Sequence, residues 1–438
     1  MKKNYFNLVC SLLTAVVIQT NQLSSQTWST VGTGMSSDVQ TTVVYNGDLY
    51  AGGSFTLAGG IAVNKIAKWN GTTWSSVGSG MDGTVYALAV YNSELYAGGN
   101  FANAGGTAAS SIAKWNGTSW QPLTSGIVGS VYALAVYNGE LYVGGNYTSA
   151  GGNALAGLSK WNGTAWSGIG GSPNNSVASL LVSNNELYVG GGFSTLGGIS
   201  AASIAKWNGT TWSALGSGTA GGSGGVICMA NYGTDIYVGG NFTSAGGTAA
   251  NFMAKWNGTA WSAVGSGLSG FAGAYSLMPY NGDLYAAGIF TGAGGSPASY
   301  IAKWNGSAWS ALGTGLNNFT WTMCVYNSEL YVGGSFITAG GTTANRIAKW
   351  STSVGIKEYD ADASVKIYPN PTNDLLTLST EDKNISKFEL IDMKGSVLMN
   401  GILDTQPQII DISTFSSGMY YVRISNSKTT TIKKVVKN

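Results

Sequence analysis

The charged side chains of residues 26–350 are few and follow a fixed spacing. Seven acids are each followed twenty residues later by a lysine: Asp48/Lys68, Glu94/Lys114, Glu140/Lys160, Glu186/Lys206, Asp235/Lys255, Asp283/Lys303 and Glu329/Lys349. The other charges of this stretch are Asp38, Asp82, Lys65 and Arg346. A ring of carboxylates would suit cations or a basic partner. An acid that arrives with its own lysine is neutralised instead, and the spacing predicts seven cross-strand ion pairs. At a surface each contributes only ~0–1 kcal/mol. Glycoside hydrolysis needs two carboxylates flanking one bond. Asp38 and Asp82, in equivalent loops of adjacent repeats, are the candidates, and both also suit ordinary turns. The chain has no histidine, which excludes His-based triads and imidazole metal sites. A net charge of +2 excludes a broad electrostatic footprint for nucleic acid. No catalytic residue, metal site or cofactor is assigned, and the expectation is a protein that is not an enzyme. Gly216–Gly221 fits the dinucleotide fingerprint, but the sequence after it reads as a strand where phosphate binding needs a helix.

These side chains must be positioned by a repeat. Lys-Trp recurs with Trp at 69, 115, 161, 207, 256, 304 and 350, and a second Trp follows five residues after each of the first six. Trp28 stands alone at one end and Trp350 at the other. One unit reads from Thr84 to Leu123. Val85–Tyr91 alternates as a half-buried strand, Asn92-Ser93 is a turn, and Glu94–Gly99 is a second strand ending in Gly-Gly. A Gly/Ala-rich loop, a third strand Ser111–Trp115, an Asn-Gly turn and a fourth strand Trp120–Leu123 complete it. Four short antiparallel strands every ~46 residues describe a propeller blade. The fold class is therefore all-β: a seven-bladed β-propeller over 26–350 in which the N-terminal strand Trp28–Val31 closes the last blade against Arg346–Trp350, plus a small C-terminal β-sandwich. Closure hides sheet edges that would otherwise template aggregation.

The pattern resembles the kelch and galactose-oxidase-like propellers, through a strand ending in Gly-Gly (Leu141–Gly145), then Trp161, then Trp166. The resemblance implies the fold and no activity, because the copper oxidases of that group need two histidine ligands. Within a blade, a two-residue turn would place Trp115 and Trp120 diagonally on one sheet face. A second aromatic series follows the double glycine: Phe55, Phe101, Tyr147, Phe193, Phe242, Phe290 and Phe336. These enter the loops between second and third strands. They either pack as core under the loop or contact a ligand; together with Asp38 and Asp82 they mark an expected ligand face, since loops on a rigid scaffold are where binding resides. Cys228 and Cys324 lie in non-adjacent blades and are expected as free thiols.

The two ends carry addresses. Lys2 and Lys3, the apolar Leu8–Ile18 and a polar stretch to Gln26 have the layout of a signal peptide over 1–25. No later uncharged apolar run reaches the ~18 residues of a transmembrane span. Residues 351–361 read as a linker. Residues 351–438 hold 10 basic and 10 acidic residues, and seven short alternating stretches there predict a sandwich. Tyr368-Pro369-Asn370-Pro371, then Phe388–Gly395, then Gly418-Met-Tyr420 through Ile424, then Lys433-Lys434 through Lys437 resemble the C-terminal sorting domain of the bacterial type IX secretion system, over 362–438. That resemblance implies export across the outer membrane by the type IX machinery, to the medium or the outer cell surface. The expected function is a secreted or surface binding or adhesion protein, with a glycan or a surface protein as ligand. An extracellular enzyme acting on polysaccharide and a structural surface-layer component are the alternatives.

Overall fold

The computed structural model describes residues 26–222, 225–352, 365–380, 387–392, 396–403, 407–425 and 430–438. The leader 1–25, linker residues 353–361 and Gly395 lie outside them. The chain divides into one compact unit over Gln26–Thr352 and a second that contains Ser353–Asn438. Among the described residues there is no helix, and every extended sheet is antiparallel.

In the first unit, each repeat builds a sheet with a path of four strands. The first strands are Val39–Tyr45, Thr84–Tyr91, Ile127–Tyr137, Val177–Ser183, Gly225–Tyr232, Leu268–Tyr280 and Thr320–Tyr326. Each of them lies against the first strand of the sheet before and after it, and Thr320–Tyr326 returns to Val39–Tyr45. The double glycines explain this approach. A Cβ on Gly98 would lie 2.4 Å from Val131 Cγ1 of the next sheet, and one on Gly333 would lie 2.6 Å from Val39 Cγ1. The second glycine faces backbone instead: a Cβ on Gly99 would meet the Thr84 carbonyl oxygen at 2.1 Å. Only the sixth sheet departs, with Ala287 in the first position. Opposite the glycines the first strand carries a β-bulge in every sheet, as between Val85 and Ala87.

The outer strands are tied by indoles. Trp74 Nε1 donates to the Val31 carbonyl at 3.1 Å, and Trp120 Nε1 to Val77 at 2.9 Å. Each such bond joins a fourth strand to the segment leaving the fourth strand of the preceding sheet. In the seventh sheet the fourth strand is Gln26–Thr30, paired antiparallel with Ile347–Thr352 so that Trp28 sits opposite Trp350. Their ring centroids are 4.9 Å apart, and Trp28 Nε1 donates to the Leu312 carbonyl at 3.2 Å. At the opposite margin Tyr45 Oη donates to the Ser93 carbonyl and Tyr91 Oη to that of Gly139, again from one sheet to the next.

The turn between third and fourth strands corrects the sequence reading. It holds four residues, not two, so Trp115 pairs directly with Trp120 at 5.4 Å between centroids instead of diagonally. The cause is Asn116, whose Oδ1 accepts from Thr118 N, Thr118 Oγ1 and Ser119 N. That side chain closes a wider loop than an Asn-Gly hairpin would.

The second unit holds a three-stranded sheet (Val365–Tyr368, Leu375–Thr380, Gln408–Asp411) and a four-stranded one (Val397–Ile402, Lys387–Ile391, Gly418–Ser425, Thr430–Lys437). Leu376, Leu378 and Ile410 from the first share a core with Leu390, Val422 and Val435 from the second.

Deleting residues 26–33 strips the seventh sheet of its outer strand and removes the acceptor of Trp74 Nε1. The expected loss is at least ~3 kcal/mol, the scale of deleting one buried aromatic. Thermal unfolding of the shortened chain measures it, and an unchanged midpoint would contradict the role given to this strand.

Candidate functional site

In each sheet the turns from first to second and third to fourth strand lie at one end. The loops from second to third strand, and from each sheet to the next, lie at the other. The turn end is uniform. All seven acid–lysine pairs form there, with Nζ–O distances of 2.6–3.0 Å. The acid is diagonal to its lysine: Tyr142, two residues beyond Glu140, is the register partner of Lys160. Both side chains of each pair are partly covered, so neither offers a free charge.

The loop end carries the ligand face expected from the sequence, and there the aromatic series must be reassigned. Phe55, Phe242, Phe290 and Phe336 are 0% exposed, Phe193 is 1%, and Phe101 and Tyr147 are 4%. Each lies under its own loop, where burying a large ring stabilises the fold by about 1.5–3 kcal/mol, so none can touch a ligand. Tyr147 adds a hydroxyl 2.8 Å from both the Val143 carbonyl and Ser159 Oγ, and burial drives its pKa far upward.

Asp38 and Asp82 do not form a pair of carboxylates. Asp38 lies 3.5 Å from Arg346. Asp82 Oδ1 accepts from Ala102 N and Asn103 N at 2.9 Å, and its Oδ2 accepts from Asn103 Nδ2 at 2.7 Å. Desolvation pushes the Asp82 pKa up, and these hydrogen bonds more than offset it, leaving it below the usual value. The positions are also not equivalent. Ser36, Asn174 and Asn317 make the contacts of Asp82 in other repeats, receiving backbone N–H groups of the second-to-third loop. Asp82 is thus a loop clamp.

Two other sets of residues lie at this end, half-buried or exposed except for the buried Ser111 and Gly157, and sequence reasoning missed both. The first is the residue that opens the third strand: Lys65, Ser111, Gly157, Ser203, Phe252, Tyr300 and Arg346, all left-handed with φ between 60° and 71°. The backbone dictates this conformation. The N–H donates to the carbonyl of the buried aromatic and the carbonyl accepts from the second glycine, as in Ser111 N to Phe101 O at 2.8 Å and Gly99 N to Ser111 O at 3.0 Å. Glycine would adopt it without the ~1–2 kcal/mol that other residues lose there. It occurs once in seven. Side chains are kept at a conformational cost, which is a mark of functional positions.

The second set is the bulge residue of each first strand: Gln40, Tyr86, Tyr132, Ala178, Ile227, Tyr275 and Trp321, which the pairing register skips. A bulge re-aims its side chain. Tyr86 meets Tyr132 edge-on at 5.6 Å, and Tyr275 meets Trp321 at 5.1 Å. Phe319 and Tyr300 extend the latter pair, with centroids at 5.8 Å and 6.0 Å along the chain Trp321–Phe319–Tyr300. The signal that finds these residues is variation. Across seven copies of one scaffold, positions the fold dictates repeat and positions it leaves open differ.

Two cavities open on this end. One of about 510 Å³ is lined by Asn175, Ser203, Thr219 and Gly222, and one of about 600 Å³ by Asn64, Lys65, Asp82 and Asn103. Among the described residues no three His, Cys, Asp or Glu side chains gather as metal ligands. Cys228 and Cys324 are free thiols. Burial pushes the Cys228 pKa far up and that of Cys324 to about 11, so neither is an activated nucleophile.

In the second unit the sorting-type motifs converge on the last strand. Asn370 Oδ1 accepts from Val436 N at 2.9 Å, and its Nδ2 donates to the Lys434 carbonyl at 2.7 Å. Pro369 and Pro371 flank this clamp and Tyr368 ends the strand before it. Tyr420 and Lys433 lie on the paired strands Gly418–Ser425 and Thr430–Lys437. Lys437 is 7% exposed, its Nζ donating to the Ser413 and Phe415 carbonyls.

The molecule is thus an all-β protein with a distinct C-terminal module. Residues 366–438 match the family described as secretion system C-terminal sorting domain. The protein is exported, and is either released or attached at the cell surface. No curated protein matches the chain. Among solved structures it is similar to the extracellular domain of a proposed one component system from B. thetaiotaomicron, at 10% identity and a TM-score of 0.47, over 94% of this chain and 58% of that one. A second structure of that domain, described as part of a proposed hybrid two component system, gives 10% identity and a TM-score of 0.48, over 94% and 59%. BamB from Moraxella catarrhalis aligns at 9% identity and a TM-score of 0.23, over 80% and 91%. The chain thus spans just under three fifths of the first two. No helix among the described residues is long and apolar enough to cross a membrane.

Replacing Asp82 tests the clamp. Asp82→Ala is expected to lower stability by about 1 kcal/mol, and Asp82→Asn by much less, because Asn174 and Asn317 make the same contacts. The carboxylate's pKa is lowered in the folded state. Its contribution is therefore present above the ordinary Asp range and is lost as pH falls through the lowered value. Denaturant unfolding of the three proteins as a function of pH should show an acid-dependent difference between wild type and Asp82→Ala, and a smaller dependence in Asp82→Asn.

Proposed function

We propose that this protein is an exported binding protein whose seven sheets are the blades of a kelch-like propeller over 26–350. A signal peptide over 1–25 precedes it, and a linker over 351–361 and a sorting domain over 362–438 follow. The propeller reading is supported by the first strands, each against the next with the last returning to the first, and by the N-terminal strand completing the seventh sheet. The type IX secretion machinery is the partner of the sorting domain. The propeller is the passenger, and its ligand, a glycan or a surface protein, docks on the loop end.

One observation carries the binding role. The turn end repeats the same ion pair seven times, whereas the loop end holds seven different combinations of third-strand opening residue and bulge residue. A purely structural ring would have no reason to keep Phe, Tyr, Lys and Arg in left-handed backbone where glycine serves. A non-enzymatic role is supported by the carboxylates: Asp38 is engaged by Arg346, Asp82 by backbone, and the other seven by lysines.

Removing residues 362–438 is expected to leave the protein in the periplasm, read by fractionation. Normal amounts of the shortened chain outside the cell would overturn the export assignment. Binding is tested with isolated cell envelopes as the probe. Arginine at the half-buried Ser203 occupies a position where the half-buried Arg346 already stands in the seventh repeat, so folding should survive. Binding should fall, whereas exchanging Glu140 with Lys160 should leave it intact. Equal binding by both variants would move the site off the loop end.

A further inference from the structure

We propose that Tyr275, Trp321, Phe319 and Tyr300 form a stacking platform for a neutral oligosaccharide. This deepens the loop-end binding role and rests on it. The four rings make a continuous edge-to-face chain across the sixth and seventh sheets, with successive centroids at 5.1, 5.8 and 6.0 Å. Two of them, Tyr275 and Trp321, are bulge residues, held at the place where the strand register breaks. Trp321 Nε1 donates to Ser335 Oγ at 3.0 Å, so the indole is fixed in orientation with its polar edge already satisfied. A fixed indole loses little freedom on binding.

The surroundings select the ligand class. Asn241 Oδ1 accepts from Gly273 N beside Tyr275, and Ser276 Oγ accepts from Met323 N. The charge beside the platform is engaged: Arg346, which opens the third strand of the seventh sheet, contacts Asp38 and the Ser335 carbonyl. Aromatic faces set among hydroxyl, amide and backbone groups, with Arg346 paired to Asp38, complement a sugar ring. Its C–H face stacks on the aromatic, and its hydroxyls exchange hydrogen bonds with the polar rim. A protein partner would be expected to bury a broad patch with an apolar centre. Here three of the rings are half-buried and Phe319 is only 36% exposed, which suits a narrow ligand. The edge-on pair Tyr86 and Tyr132, in the second and third sheets, offers a second contact for a longer chain.

The test uses the full exported chain and calorimetric titration with neutral gluco-, xylo-, manno- and chito-oligosaccharides, with polygalacturonate as the charged comparison. At least one neutral series should bind and shift the tryptophan fluorescence. Trp321→Ala should weaken that binding about ten-fold, and Trp321→Phe, which keeps a stacking face, should retain most of it. Unchanged thermal midpoints separate this from misfolding. If no neutral oligosaccharide binds at millimolar concentration, or only the charged polymer does, the glycan assignment is overturned, while envelope binding lost in the Ser203→Arg protein still supports the loop end. If a neutral sugar binds equally well to Trp321→Ala, the platform is in the wrong place.

Discussion

Successive sheets of the Gln26–Thr352 unit meet where a glycine of one second strand lies against the first strand of the next sheet. There is no room for a single methyl between Gly98 and Val131 or between Gly333 and Val39. Much else follows from that approach. In six of the seven sheets the facing position is glycine, which lets the first strand of the next sheet come close. The bulge lies opposite the double glycine because one more residue must be accommodated on the facing strand. The third strand opens in left-handed conformation because its N–H and carbonyl are both claimed, by the buried aromatic and by the second glycine.

The same constraint separates the two ends of the sheets. Toward the turns the repeats share their contacts: an acid on its lysine in all seven, and a tyrosine hydroxyl on the next turn in five. Toward the loops, the bulge and the left-handed residue point away from the contact that governs the rest. Their side chains are released from the packing problem. The third and sixth sheets go further, extending their first two strands to Ile127–Tyr137 with Glu140–Ala150 and to Leu268–Tyr280 with Asp283–Ala293. The loop end is therefore unequal around its circumference even though the repeats are not.

Much of this was legible in the residue pattern, and the failures have a common cause. Tryptophan spacing located the strands, and the twenty-residue acid–lysine interval located the ion pairs, because both depend on local period. The pairing of Trp28 with Trp350 was legible from counting strands without partners. The Asn116 turn was misread because the dipeptide Asn-Gly is shared by two loop types, and only the side chain's choice of donors separates them. For the Phe101 series the sequence leaves core and ligand roles both open, because a ring inside a glycine-rich loop gives no sign in one dimension that the loop folds over it; the structure takes the core alternative. The bulge residues were invisible to pattern reasoning for a simpler reason. An alternating strand has no mark for the one residue that drops out of register, and Tyr86 and Trp321 read as ordinary members of it. In the last unit the alternating stretches predicted all seven strands, but not that Asn370 would fasten its motif to the final one.

The strand Gln26–Thr30 has a consequence for the order of events during synthesis. It is among the first parts of this unit to be translated, yet its partner Ile347–Thr352 comes last in the same unit, and the Trp28–Leu312 hydrogen bond alone spans 284 residues. A contact so distant in sequence carries the full entropy of loop closure and slows folding. The six earlier sheets can assemble as they emerge, but the seventh cannot be completed until the whole unit has arrived. Completion of the seventh sheet thus depends on the last strand of the unit, the only partner of the tryptophan-bearing N-terminal strand within the sheet.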